Sequence, residues 1–243
     1  MRRDSSRTTR ATDAARTIGV PVRLDETNSA SCGGQDGVSN TLASALWIVE
    51  YLVTVAQHGV AGVGVQGGLA ACRGYTPLCV PGATGAGPGT APGIDPIADA
   101  SLGAAASADG RLAAQPEFYG LLLVHELEGG RWLPLSSNSR TTSREAAVQM
   151  PDGSVRVAIV NPSPATPAEV TLRVPSSHGQ ASVQWLTGPS LASTSGVTLA
   201  GAGVGSDGTW RPHPATPVET TSAGAHIRVP PATAALVTIA GPL

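Results

Sequence analysis

Val20-Pro21-Val22-Arg23-Leu24-Asp25-Glu26-Thr27-Asn28-Ser29-Ala30-Ser31-Cys32-Gly33-Gly34 is the stretch on which the fold turns. Residues 20 to 24 are a short apolar run that reads as a strand, Glu26 follows directly, and a small-residue loop with two glycines comes next. A carboxylate that ends a buried strand, followed by a loop able to approach a ligand closely, is how an α/β barrel presents a nucleophile.

Working outward, residues 8 to 18 read as a helix with Ala11, Ala14, Ala15 and Ile18 on one face and Gly19 as its stop. Downstream, Ser39 is the expected N-cap of a second helix. Leu42, Ala45, Leu46, Val49, Leu52, Val53 and Ala56 give it an i, i+3, i+4, i+7 stripe, and Gly59 ends it. Val60 to Val65 is a glycine-interrupted strand, and 67 to 110 reads as one long Gly/Ala/Pro-rich loop, a lid or a poorly ordered segment. Pro116 opens a third helix through Phe118, Tyr119, Leu121, Leu122, Val124 and His125, closed by Gly129 and Gly130. The order α-β-α-β-α is the grammar of parallel α/β folds.

From Arg131 the grammar changes. Val155, Val157 and Ile159, then Val170, Leu172 and Val174, then Val183 and Trp185, then Ile227 and Val229, and finally Leu236 to Ile239 alternate with polar or small residues. Turns such as Pro151-Asp152-Gly153 and Asn161-Pro162 separate them, so an antiparallel β-sandwich of seven or eight strands is expected. The chain divides into an α/β part, 1–128, and a β part, 129–243.

The chain has 243 residues and 41% apolar content, enough for a real core, and a formal charge of −2. All 15 basic residues are Arg and they are scattered outside the N-terminus, which gives no nucleic-acid footprint. No stretch has transmembrane length, and the basic start lacks the apolar core of a secretory signal, so the chain reads as soluble and without an export address. Three cysteines make no disulfide framework, but Cys72 and Cys79 can close the loop between them in an oxidising compartment, leaving Cys32 over.

Together these segments resemble the C-terminal half of glycoside hydrolase family 79, the group of β-glucuronidases and heparanase. Asp25-Glu26-Thr27-Asn28-Ser29-Ala30, Gly33-Gly34, Val38 through Trp47, Gly59-Val60, Gln66, Gly74-Tyr75 and Pro116-Glu117-Phe118-Tyr119-Gly120 carry the likeness, in family order and spacing. Gly208-Thr209-Trp210 and Val229-Pro230-Pro231-Ala232 continue it, so it covers nearly the whole chain. The resemblance implies an incomplete (β/α)8 TIM barrel, represented by its last two strands and their helices, followed by an antiparallel β-sandwich. It also implies an extracytoplasmic or secreted full-length relative.

The family's chemistry uses two carboxyl groups roughly 5 Å apart, a nucleophile and a general acid that then serves as base. Glu26 matches the nucleophile. The acid/base of the family is a Glu preceded by Asn, and no Asn-Glu pair occurs in this sequence. Asp25 would point to the opposite side of a strand, and Asp36 is a weak substitute. The resemblance further implies that Gly33, Gly34, Gly74 and Tyr75 bind the carboxylate of a glucuronide or other acidic glycan. Asn28, Ser31 and Gln66 are implied as neighbouring contacts, Gln66 either orienting a sugar hydroxyl or capping its strand, with Ser31 or Cys32 standing where many members have Tyr. No cofactor and no metal are called for, and a missing N-terminal barrel half would be the partner. The other reading is a non-catalytic carbohydrate-binding or accessory module.

Other signals carry less. Gly62-Val63-Gly64-Val65-Gln66-Gly67 spells a dinucleotide fingerprint, but its glycines lie within the strand and a loop follows instead of a helix. His58 suits the last turn of its helix, and the other histidines have no ligand spacing. Trp132, Trp185 and Trp210 read as core.

Overall fold

The computed structural model describes residues 2–30, 32–68, 70–82, 112–136, 143–174 and 180–241, without the side chains of 2–7 and 70. Helix α1 (Arg2–Thr17) leads through Gly19, at φ +70°, into strand β1 (Val22–Thr27). The expected apolar face of α1 does not form: Ala11 and Ala14 are exposed, Ile18 is 74% exposed, and Thr12 is the buried residue. The strand also starts later than the 20 to 24 reading and includes Glu26, because Pro21 has no N–H to give to a ladder.

Helix α2 (Leu42–Gln57) follows, then β2 (Val60–Val65), which pairs in parallel with β1. Ser39 is not the N-cap. Its hydroxyl accepts the Gln35 N–H at 2.9 Å inside a tight loop, and Thr41 stands at the cap position, its hydroxyl donating to the Val38 carbonyl at 2.7 Å rather than capping the helix. The other end is as read, with Gly59 at φ +87°. The β1–α2–β2 unit is the parallel α/β grammar. Among the described residues no strand lies outside β1 or β2, so this sheet has two strands.

The 67 to 110 region is not all loop. Strands β3 (Ala70–Ala71) and β4 (Leu78–Val80) form a small sheet with β5 (Ala113–Ala114). Residues 83–111 lie outside the described residues. Helix α3 (Pro116–His125) then packs on α2, where Gly120 sits against the backbone of Ala45 and the side chain of Ile48 with no room for a Cβ.

After Arg131 every pairing is antiparallel. Strands β6 (Arg131–Leu133), β7 (Arg144–Gln149), β8 (Val155–Asn161), β10 (Ala181–Thr187), β11 (Thr198–Leu199), β12 (Thr216–Val218) and β15 (Thr233–Ile239) form a seven-stranded sheet in the order β11-β10-β15-β8-β7-β6, with β12 also on β10. Strands β9 (Ala168–Leu172), β13 (Thr220–Thr221) and β14 (Gly224–Val229) form a second sheet in the order β13-β14-β9. Val157, Ile159, Val183, Val237 and Ile239 of the first sheet meet Ala168, Ile227 and Val229 of the second in one core.

The opposite face of the larger sheet is equally dry. Ala146, Val148, Ala158, Val160, Leu186 and Leu236 pack with Leu42, Leu46, Val49 and Leu123 of α2 and α3. A sheet covered on both faces needs near-continuous apolar strands, and β15, Thr-Ala-Ala-Leu-Val-Thr-Ile, is one. The α/β part and the β part are thus stitched by a single core. Trp132 and Trp210 pack against that core and Trp185 against the other, as read.

Candidate active site

Glu26 is the penultimate residue of β1 and is exposed. The β1–β2 register shifts between Leu24 and Thr27, where the Asp25 carbonyl lies against Gly64. Strict alternation therefore lapses here, and Asp25 is exposed as well as Glu26, so period-two spacing does not separate them. Asp36 is occupied: its Oδ1 accepts from Asn40 Nδ2 at 2.6 Å in the loop before α2.

Two loops converge beside Glu26. The Gly33 N–H donates to Tyr75 Oη at 3.1 Å, and the Tyr75 N–H donates to the Gly33 carbonyl at 3.4 Å. Backbone meets backbone here because glycine permits it. Gly33, Gly34 and Gly74 have φ of +90°, +83° and +57°, and a Cβ on Gly34 would lie 2.8 Å from the Tyr75 nitrogen. Cys32, exposed, takes φ +60° in the same turn. Burial pushes the Tyr75 phenol up; the Gly33 N–H works against that, and the charges of Glu26, Cys32 and Glu117 add to the rise. All four groups therefore share one corner.

The Asn28 amide is engaged within the chain. Its Nδ2 donates to the Gln66 carbonyl at 2.6 Å and the Tyr75 carbonyl at 3.2 Å, and its Oδ1 accepts from the Ser29 N–H at 2.5 Å. It clips the end of β1 to the end of β2 and to the Tyr75 loop. The Gln66 side chain is exposed at that edge. Ser31 lies outside the described residues.

Cys72 and Cys79 are joined by a disulfide that brackets the Tyr75 loop, and Cys32 is free. The N-cap of α3 braces the same loop: Gln115 Nε2 donates to the Thr76 carbonyl at 2.5 Å, and the Gln115 N–H donates to Pro77 O at 2.8 Å. Gly74→Ala would force a left-handed alanine into the Gly33 carbonyl, costing about 2 kcal/mol. The expected result is about thirtyfold faster hydrogen exchange at the Gly33 amide, with the β-part amides unchanged.

Glu117 is the residue that sequence reasoning passed over. It follows Pro116 in the first turn of α3, is 1% exposed, and neither carboxyl oxygen has a hydrogen-bond partner among the described residues. Burial raises its pKa to about 8, with the Asn28 amide pulling slightly the other way. It was visible only as part of Pro116-Glu117-Phe118-Tyr119-Gly120, where an acid in a first helical turn needs no further explanation. Among the described residues no group of three or more His, Cys, Asp or Glu could hold a metal ion, and no helix is long and apolar enough to cross a membrane.

In fold the chain is glycosidase-like. It superposes with TM-score 0.70 on a 4-O-α-L-rhamnosyl-β-D-glucuronidase from Fusarium oxysporum 12S, at 17% identity, over 95% of this chain and 46% of that one. A GH51 arabinofuranosidase from Xanthomonas axonopodis pv. citri gives 0.59 at 14% identity, over 96% and 46%, and an α-L-arabinofuranosidase from Thermotoga maritima gives 0.59 at 16%, over 95% and 45%. The chain thus spans a little under half the length of these three structures. Residues 146–236 match the family model of the glycosyl hydrolase family 79 C-terminal beta domain, so the resemblance to that family is established in the β part. No curated protein sequence matches the chain.

Proposed function

We propose that this chain is the C-terminal portion of a retaining β-glucuronidase of the family 79 type. Residues 1–128 are the last two strands of a (β/α)8 barrel with their helices, and 129–243 are its β-sandwich. Glu26 attacks the anomeric carbon of a β-glucuronide, and the Gly33, Gly34, Gly74 and Tyr75 loops receive the sugar carboxylate. The acid/base lies in the barrel half that this chain lacks, either an upstream part of the same polypeptide or a separate one. The observation that carries the reading is the exposed Glu26 at the carboxyl end of a parallel strand, beside two glycine loops that meet backbone to backbone.

The Gly33 amide is engaged by Tyr75 Oη, so a sugar carboxylate entering this corner displaces the phenol or binds the neighbouring amides of the loop. The accessory-module reading has less support. Cutting at 131 would strip α2 and α3 from a sheet face made of Val148, Val160, Leu186 and Leu236. That face would open to water as a large apolar patch.

The test is turnover of p-nitrophenyl β-D-glucuronide. Without the second carboxyl group the chain alone is expected to match a Glu26→Gln control. Once the missing barrel half is supplied, the same substitution should lower turnover by at least about a thousandfold. Restored turnover that Glu26→Gln leaves intact would overturn the assignment.

A further inference from the structure

Among the described residues, buried side-chain oxygens without a hydrogen-bond partner are Ser29 Oγ, Thr76 Oγ1 and both carboxyl oxygens of Glu117. They belong to neighbouring segments of the chain. Ser29 follows Asn28, Thr76 follows Tyr75, and Glu117 lies against the Asn28 amide. Unpaired buried oxygens cost free energy, and these lie on or against the segments that the Asn28 amide joins.

The amide at their centre is already committed. Asn28 Nδ2 has two hydrogens, and its two bonds, to Gln66 O and Tyr75 O, hold β1, β2 and the Tyr75 loop together. A neutral Glu117 leaves those bonds alone and can donate its own proton within the corner. An ionised Glu117 is a stronger acceptor than either carbonyl and competes for the same two hydrogens. The clip is compatible with only one of the two states.

We propose that Glu117 is a positioning residue: its neutral carboxyl holds Asn28 on the Gln66 and Tyr75 carbonyls, and its ionisation releases the disulfide-bracketed Tyr75 loop from the Gly33 turn. Burial alone keeps the proton on at neutral pH. The other ionisable groups bearing on the corner are the Tyr75 phenol and, through it, Glu26 and Cys32. No charged group on α2, β5, β10 or β11, which also pack on α3, acts on Glu117 among the described residues. Where the glucuronidase reading holds, a neutral Glu117 also spares an anionic sugar a neighbouring negative charge. The loop effect itself needs no sugar, so its test is independent of that reading.

Arg73 is exposed inside the bracketed loop and Arg173 is exposed in the β part, which supplies an internal reference for trypsin. In a Cys32→Ser background, to remove the free thiol, the ratio of cleavage after Arg73 to cleavage after Arg173 is followed by mass spectrometry from pH 6.5 to 9. The ratio should rise about tenfold across that range. Glu117→Gln should keep it low and flat, and Asn28→Ala should make it high at every pH. A flat ratio with Glu117 present, or the same rise in Glu117→Gln, would overturn the proposal.

Discussion

Raising the pH from about 4.5 to about 8 should cost the folded chain about 4 kcal/mol through Glu117, and Glu117→Gln should remove that cost. The carboxyl ionises near 4.5 when unfolded and near 8 when buried in the fold. Between those values the unfolded chain has released a proton that the folded chain still holds, so each pH unit favours unfolding. The stabilising contribution is complete below about 4.5, falls through the window and is gone above about 8. Urea midpoints at several pH values give the result directly, as a difference between the two proteins in which all other titrations cancel. At pH 8 the Gln protein should be much the more stable, and near pH 4.5 the two should converge. Parallel curves would contradict the buried, unpaired state of this carboxyl.

Asn161→Ala should destabilise the β part by about 3 kcal/mol. Asn161 ends β8, is 1% exposed, and its Nδ2 shares its two hydrogens among the carbonyls of Thr166, Val229 and Pro230 at 3.0, 3.1 and 2.9 Å. Its Oδ1 accepts the Ser163 N–H at 3.2 Å. One side chain thus ties the end of β8, inside the seven-stranded sheet, to the end of β14 in the other. Alanine leaves buried carbonyls without a donor, and Asn161→Asp should be at least as harmful, since it sets a carboxylate against the same oxygens. Denaturant unfolding followed by Trp185 fluorescence reports it, because that ring packs in the core between the two sheets.

These two residues also show where sequence reading stops. The parallel unit was legible because α2 carries a long apolar stripe and Gly59 stops it. Strands β8, β9, β10, β14 and β15 were legible because β-branched residues recur between turn residues. Strand β7, Arg-Glu-Ala-Ala-Val-Gln, was passed over, since alanines favour no strand and its burial is imposed by partners on both faces. Ser39 read as a helix cap because the residue type suits one, whereas tertiary contacts give its hydroxyl to Gln35. At the candidate site Glu26 and the Gly33-Gly34 loop stand out after an apolar run, and the resemblance to the family adds Gly74. Asn28 as a clip and Glu117 as a buried acid do not stand out, because both roles depend on segments about 40 to 90 residues apart closing on one another.

The incomplete catalytic pair makes the nucleophile testable by itself. In 2-deoxy-2-fluoro-β-D-glucuronyl fluoride the leaving group departs without protonation, so covalent capture requires Glu26 but not the acid/base. Incubating the purified chain with this compound and locating the adduct by peptide mass spectrometry tests the central claim. A single glycosyl ester is expected on Glu26, absent from Glu26→Gln. An adduct on another residue, or a folded chain that stays unlabelled at millimolar probe, would contradict it.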